Sequence, residues 1–287
     1  MLNKTVKIMN DTGQSRTMLR LVYLDWNVII SMADGHLSTL RTALAKAVDN
    51  RAILVPFSAT HVQEADHIAD GGRAAQGLAE NRLCFLSELT RDTYLYNAGD
   101  RYSPSIRKES PEEVRRTINE VPFTEGAMRG FINMFGLGVM KQVRNQLELS
   151  PNDLNNIKPP NVIDQLDRAI AEKLSERFPQ LPPDFGVRQL LDTALKCYPN
   201  SERLGIESKM AAVFSSLNSF GFWPDSPRKT SSMAAFFDSM HAANAALCYY
   251  FVSEDKTLRL KTMAIYEFFG VGTQVVEVSE ITAILSE

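Results

Sequence analysis

Four acidic side chains occupy places in the sequence where metal-assisted chemistry is common. Asp25 directly follows a short apolar run, and Asp255 comes shortly after another. Glu64 and Asp238 lie on predicted helices. In open α/β sheets, ligand-binding sites form outside the carboxyl ends of the strands. Several carboxylates in one cleft repel each other, and a hard divalent cation such as Mg²⁺ or Mn²⁺, bound through oxygen ligands and water, relieves that repulsion.

The flanking segments predict the strands and helices that would position these acids. Residues 21–24 form a short apolar run, and residues 249–252 are rich in the aromatic and β-branched side chains typical of buried strands. Residues 52–57 predict a third strand, and Ser58 is a good N-cap for the helix expected after it. Asp238 opens a further predicted helix, whose alanines form its apolar face.

Polar side chains next to the four acids are candidates for supporting roles. In an extended chain Asn27 shares a face with Asp25, two residues before it. Ser253 and Glu254 fall where the strand before Asp255 should end. Such groups orient metal-binding carboxylates by hydrogen bonds.

Two histidines leave more than one interpretation open. His61 lies three residues before Glu64, and His241 lies three residues after Asp238. Either could complete a transition-metal site with mixed histidine and carboxylate ligands. Alternatively, each histidine supports the site without binding the metal, faces a phosphate, or packs in the core.

Three segments of the chain resemble the PIN domain nucleases, a superfamily of metal-dependent ribonucleases that includes the toxins of bacterial toxin–antitoxin pairs. The segments read YLDWNVIIS, VPFSATHVQEADHI and DSMHAANAALCYYFVSEDKTLRLK. The family pattern has an acid after the first strand, a Glu on an early helix, an Asp on a late alanine-rich helix, and a final Asp after a strand ending in Thr or Ser. The matching positions are Asp25 with Asn27, Glu64, Asp238, and Asp255 with Ser253.

This resemblance implies an α/β, three-layer PIN-like fold with a central parallel sheet and a mostly α-helical insertion. The nuclease core would comprise residues 18–72 and 226–287, and the insertion residues 73–225. It also implies a divalent-metal-dependent endoribonuclease that hydrolyses RNA phosphodiester bonds, as a toxin or defence nuclease. The implied catalytic metal ligands are Asp25, Glu64, Asp238 and Asp255, with Asn27, Ser253, Glu254, His61 and His241 in support and Arg228 and Lys229 as phosphate-binding candidates.

The chain departs from the family pattern at three points. Thr257 stands where family members often carry a further Asp, and Trp26 is bulky where a small residue is common. The insertion 73–225 separates the two halves of the pattern by more than half of the chain. Proline pairs punctuate it, and it predicts helices over residues 73–89, 123–149, 161–178, 184–198 and 201–220, with a further helix start at a capping box over residues 110–113.

Composition restricts the kind of partner. The net charge of −3 and the pI of about 5.9 argue against broad, tight nucleic-acid binding, although a nuclease with a local basic rim remains compatible. The sequence contains no GxGxxG or GxxxxGK[ST] motif, so it implies no organic cofactor. The resemblance leaves open other nucleic acids, an antitoxin or another protein partner, and a homodimer.

The sequence also predicts a cytoplasmic protein without a membrane span. Its three cysteines have no CxxC spacing, which favours a reducing compartment and no structural zinc. The N-terminus lacks an apolar signal core. Residues 233–252 are the nearest approach to a span, and Asp238, His241 and Asn244 interrupt them.

Other functions fit the same residues. A PIN-like domain can be a non-catalytic scaffold or protein-interaction module, with the helical part as its working surface. An enzyme with a related α/β fold can also hydrolyse a small-molecule phosphate ester. Taken singly, Asp25 can be a turn former after a strand, and Glu64 or Asp238 a solvated helix residue.

Overall fold

The structure is a computed structural model that describes most of the chain. The described residues are 5–9, 15–69, 73–96, 105–120, 142, 144–146, 148, 156–157, 160–182, 185–196, 205–223 and 232–287. Arg228, Lys229, Cys197 and nearly all of the helix predicted over 123–149 lie outside them. The chain forms two compact units, the first comprising residues 1–123, 244–254 and 272–287 and the second residues 124–243 and 255–271.

The first unit is built on a sheet with a parallel centre. The strands among the described residues are β1 (Thr5–Met9), β2 (Ser15–Leu24), β3 (Ile53–Leu54), β4 (Thr93–Tyr96), β5 (Ser105–Lys108), β6 (Tyr250–Val252) and β7 (Gln274–Val276). Strand β2 pairs in parallel with β3 and β6, and β6 pairs in parallel with β7. Strand β1 adds an antiparallel partner to β2. Strands β4 and β5 form a separate antiparallel hairpin.

The register of β2 and β6 fixes which residues meet at the carboxyl edge of the sheet. Residues 22–24 align with residues 250–252, so the positions that follow, Asp25 and Ser253, come next to each other. The residues of β2 from Leu21 to Leu24 are all buried. A continuous apolar run of this kind is expected of a parallel strand covered on both faces.

Helices surround this sheet and form most of the second unit. Those that the structure describes are α1 (Trp26–Ala33), α2 (Ser38–Asp49), α3 (Ala59–Ala69), α4 (Arg73–Thr90), α5 (Pro111–Glu120), α6 (Val162–Arg177), α7 (Val187–Lys196), α8 (Ile206–Phe220), α9 (Ser232–Ala245), α10 (Lys256–Phe269) and α11 (Val278–Ser286). No helix in the described part of the chain is long and apolar enough to cross a membrane.

The core of the first unit joins the sheet to its helices. Side chains from α1, α2, α3 and α4 pack with those of β2, β3, β6 and β7 in one buried cluster. Burial of this apolar surface at about 25 cal/mol per Å² is the main stabilising contribution. The cluster therefore holds the carboxyl edge of the sheet in a fixed relation to α1 and α3, which carry candidate site residues.

In the second unit a glutamate from one helix caps another. The Glu267 carboxylate accepts hydrogen bonds from the backbone N–H groups of Val162 (2.6 Å) and Ile163 (3.1 Å), the first residues of α6. Asn161, the N-cap residue, makes no side-chain cap bond. A carboxylate at a helix N-terminus satisfies orphan donors and complements the helix dipole, so Glu267 ties α10 to α6.

The predicted α/β fold class, with a central parallel sheet and a mostly helical insertion, is confirmed. Within the insertion, α4, α6, α7 and α8 fall on four of the predicted helical segments. The capping box is confirmed as well: the Ser110 N–H donates to Glu113 Oε2 (2.7 Å), and the Glu113 N–H donates to Ser110 Oγ (3.3 Å). The bond from the Ser110 N–H and a second one from Ser110 Oγ to the same carboxylate oxygen (2.8 Å) lower the pKa of Glu113.

Two details of the predicted elements were wrong. Asp238 does not open its helix, because α9 begins at Ser232 and already includes Phe236 and Phe237, which pack as a buried pair. The strand predicted over 52–57 is reduced to Ile53–Leu54. The rest of that segment leaves β2, and Phe57 instead forms an isolated parallel bridge to Tyr94 of β4.

The compact units have different bounds from the predicted nuclease core and insertion. Helix α4, the β4–β5 hairpin and α5 belong to the first unit, although they lie within residues 73–225. Helix α10 belongs to the second unit, although it lies within residues 226–287. The division into a core of 18–72 with 226–287 and an insertion of 73–225 stays a prediction.

Candidate active site

Asp25 lies at the carboxyl end of β2, where the chain turns into α1. Its backbone N–H donates to the carbonyl of Val252 in β6 (2.9 Å), and it is the N-cap residue of α1. Only 1% of its surface is exposed. Ser253 Oγ donates a hydrogen bond to Asp25 Oδ2 (2.9 Å) across 228 positions of sequence. The β2–β6 register thus produces a buried, oriented carboxylate at the edge of the sheet.

His61 supports the residue directly before Asp25. Its Nδ1 accepts a hydrogen bond from the Ser58 backbone N–H (3.0 Å), so Nδ1 carries no proton. The proton of the neutral ring is therefore on Nε2, which donates to the Leu24 carbonyl (2.9 Å). Both ring nitrogens contact the backbone and the side chain is fully buried, so we interpret His61 as a positioning residue.

Tyr23 adds a second polar contact beneath the edge of the sheet. Its hydroxyl is hydrogen-bonded to Ser58 Oγ (2.7 Å), and the side chain is buried. Burial raises the pKa of Tyr23 well above its usual value against the opposing effect of the Ser58 bond, and the charges of Glu64 and Asp25 also raise it. The two carboxylates therefore act on one hydroxyl, which stays protonated.

Glu64 lies on α3, one turn beyond His61, and is half-buried. The start of α3 is fixed by a buried hydrogen bond from Asn244 Nδ2 to Thr60 Oγ1 (3.1 Å). Glu64 thus projects from a helix that is attached to β2, through His61, and to Asn244, which also belongs to the first unit. Such attachment gives a ligating side chain a defined position.

The expected relation between Asn27 and Asp25 was wrong. It assumed an extended chain, but α1 begins at Trp26, so Asn27 lies in the first turn of a helix and is exposed. Trp26 is buried in the core of the first unit, where its ring lies near that of His61 (centroids 6.1 Å apart). The bulky residue at this position is therefore a packing residue.

Asp238 and His241 belong to the second unit, on α9. Asp238 is half-buried, and His241, one turn later, is buried. Helix α10 is attached nearby, because the Tyr266 hydroxyl donates to the carbonyl of Ala242 (2.6 Å). Both residues are thus held on a helix that is packed in place.

Asp255 is the N-cap of α10. Its Oδ1 accepts hydrogen bonds from the backbone N–H groups of Thr257 (2.8 Å) and Leu258 (3.1 Å). Thr257, where the family pattern has a further acid, contributes its backbone to this cap. Glu254, a candidate supporting residue, is exposed. Asp255 therefore has a structural role whether or not it also binds a metal.

Replacing Asp255 separates these two roles. Asp255→Ala should lower the free energy of unfolding by about 1 kcal/mol, because two donors at the start of α10 lose their acceptor. Asp255→Asn should lower the free energy of unfolding by only a few tenths of a kcal/mol, since asparagine is an equally good N-cap. Urea denaturation of both variants checks this. Equal losses in the two variants would contradict the capping role.

The structure groups some of the predicted site residues and divides others between units. Asp25, Glu64, Ser253 and His61 lie in the first unit, and Asp238, Asp255 and His241 lie in the second. Among the residues that the structure describes, no group of three or more His, Cys, Asp or Glu side chains is placed to hold a metal ion. The convergence of the four acids on one or two divalent ions stays a prediction.

Sequence reasoning missed part of the hydrogen-bond network around Asp25. Tyr23, Thr60 and Asn244 were assigned no role in the site, and Ser58 was expected only as a helix N-cap. One usable signal was strand periodicity, since Tyr23 and Asp25 are two residues apart and share a face. The partners themselves come from distant segments, which no local pattern relates.

Comparisons with protein-family models, with curated proteins and with solved structures find no significant match to this chain. The function is therefore argued from the residues at the carboxyl edge of the sheet.

Proposed function

We propose that this protein is a divalent-metal-dependent endoribonuclease that hydrolyses phosphodiester bonds in RNA. The observation that carries the proposal is the buried Asp25 carboxylate, oriented by Ser253 where two parallel strands end. Ligand sites in open α/β sheets form at this edge. The resemblance of the surrounding segments to PIN domain nucleases supplies the reaction and the substrate class.

The donor atoms in the first unit fit Mg²⁺ or Mn²⁺. Asp25 and Glu64 offer carboxylate oxygens, which these ions prefer. His61 is committed to the backbone, so it does not add a nitrogen ligand that would favour zinc. Two carboxylates are enough for Mg²⁺, which usually keeps several waters and completes its shell with substrate phosphate. Asp238 and Asp255 are the proposed further ligands.

The ion, when bound, would supply an activated water and charge stabilisation for the phosphoryl group. The chain's own residues determine where that chemistry takes place. Ser253 fixes the Asp25 carboxylate through one oxygen, and His61 fixes the carbonyl of the preceding residue. Burial lowers the local dielectric, so the charge of Asp25 acts more strongly there than in water.

The finer parts of the proposal rest on the resemblance alone. They are RNA as the substrate, a role as a toxin or defence nuclease, an antitoxin as the partner, and phosphate contacts by Arg228 and Lys229. The low pI of about 5.9 agrees with a nuclease that holds its substrate locally, through metal-bridged phosphate, better than with a protein that coats nucleic acid.

The proposal is tested by incubating the purified chain with labelled single-stranded RNA, double-stranded RNA and DNA. We expect RNA cleavage in Mg²⁺ or Mn²⁺ and none in EDTA, with products from internal sites. Cleavage that persists in EDTA would contradict the metal requirement. Absence of any cleavage with either ion would favour the non-catalytic scaffold.

A further inference from the structure

The first unit contains a cavity far from the Asp25 site. Its volume is about 320 Å³, and it lies beside Leu19 of β2 and Ile53 of β3. Asp25 is six residues beyond Leu19, so an extended strand places it roughly 20 Å away along β2. The cavity is therefore a separate feature on the opposite half of the strand.

The lining of this cavity combines an aliphatic floor with a cationic rim. Leu19, Val48, Ile53 and Val55 contribute apolar surface. Arg51, Arg91 and Lys108 also line it, and all three are exposed. Three positive charges around one apolar cavity are complementary to an anion that carries an apolar body.

Arg51 occupies a position where its backbone is unfavourable. It follows Asn50, the C-cap of α2, and has a left-handed φ of 55°. Its N–H donates to the Val48 carbonyl (3.0 Å), and the next N–H, of Ala52, donates to the Ala47 carbonyl (2.9 Å). These bonds form a Schellman motif, in which this position is usually glycine because a Cβ is disfavoured there.

The side chain of Arg51 is available to a ligand. Its guanidinium makes no hydrogen bond or ion pair with the described residues. Arg91, also left-handed (φ 50°), pairs with Asp49, and Lys108 Nζ donates to the Arg91 carbonyl. Backbone strain concentrates at functional sites, and here two strained arginines line one cavity.

We propose that this cavity binds a small amphipathic anion, namely an aliphatic body ending in one carboxylate or phosphate group that pairs with Arg51. Guanidinium binds both headgroups through two parallel hydrogen bonds. The volume lies at the small end of ligand cavities, which span about 300–1,000 Å³. The floor is aliphatic, with no aromatic ring among the lining residues that the structure describes, so it suits an alkyl chain better than a stacked base.

Calorimetric titration of the full chain with octanoate and with octyl phosphate tests this site and distinguishes the two headgroups. We expect at least one of them to bind. Octan-1-ol, which lacks the charge, and acetate and inorganic phosphate, which lack the chain, should bind at least tenfold more weakly.

Arg51→Gly is the decisive variant, because glycine relieves the left-handed backbone while removing the guanidinium. We expect at least tenfold weaker binding of the amphiphile and an unfolding temperature that is unchanged or raised. Arg116→Gln, which removes a charge from α5 outside the cavity, should bind as the wild type does. This measurement does not require RNA cleavage, so its result is independent of the proposed nuclease activity.

Three results would overturn the proposal. One is the absence of binding of both amphiphiles to the wild type. Another is equal binding by Arg51→Gly. The third is a lowered unfolding temperature in Arg51→Gly, since Arg51 would then contribute to stability and its left-handed backbone would not indicate a ligand.

Discussion

Replacing Asp25 by asparagine should lower the rate of metal-dependent RNA cleavage by about 10²–10³-fold, the usual loss when a preorganised charge at a reacting group is removed. Asparagine has the same shape, and its carbonyl oxygen can still accept the Ser253 hydroxyl, so the fold should be retained. The measurement is the cleavage rate of labelled RNA at saturating Mg²⁺, with circular dichroism as the check on folding.

A matched control removes a carboxylate elsewhere. Asp192 is exposed on α7, and Asp192→Asn should cleave RNA at the wild-type rate. Ser253→Ala should give an intermediate loss, because the Asp25 carboxylate remains but loses the hydroxyl that orients it. Wild-type activity in Asp25→Asn would move the reaction away from this edge of the sheet.

Phe251→Ala should destabilise the first unit by about 3–5 kcal/mol, the range measured for large-to-small changes at buried aromatic positions. Phe251 is fully buried in β6, between β2 and β7, and its ring lies near that of Tyr23 (centroids 6.1 Å apart). Truncation leaves a cavity in the strand that carries Ser253. The free energy of unfolding from urea denaturation measures the effect.

Leu78→Ala is the matching control, because Leu78 is 43% exposed on α4. The free energy of unfolding of this variant should change by no more than about 0.5 kcal/mol, as expected of a surface position. Equal effects of the two substitutions would mean that β6 is not part of the central core.

The elements that carry the site residues could be predicted because their signals are local. The apolar runs before Asp25 and Ser253 are continuous, as buried parallel strands require. Glu113 three residues after Ser110, with Pro111 between them, specified the start of α5 through a capping box. Each of these signals is contained within a few neighbouring residues.

Other elements could not be predicted because tertiary contacts determine them. Helix α9 already includes the buried residues Phe236 and Phe237, which lie before the acid that seemed to open the helix. The β4–β5 hairpin contains short strands with polar residues, and it is fixed partly by the bridge from Phe57 to Tyr94. Strand propensity is weak in such segments compared with pairing and burial.

The candidate site was predictable in its residue types and not in its contacts. The sequence pattern predicts Asp25 and Glu64 as candidate ligands, whereas the bond from Ser253 to Asp25 follows from a register between strands that are distant in sequence. The neutral state of His61 depends on one backbone donor and one backbone acceptor. The pattern of side chains along the sequence does not reveal either of these backbone contacts.

Binding of Mn²⁺ to the wild type and to Asp25→Asn, followed by electron paramagnetic resonance of the free ion, tests the central claim most directly. The claim predicts that the wild type removes Mn²⁺ from the free pool, that Asp192→Asn does so equally, and that Asp25→Asn binds at least tenfold more weakly. Mn²⁺ binding that is absent from the wild type, or unchanged in Asp25→Asn, would contradict a metal site at the Asp25 carboxylate.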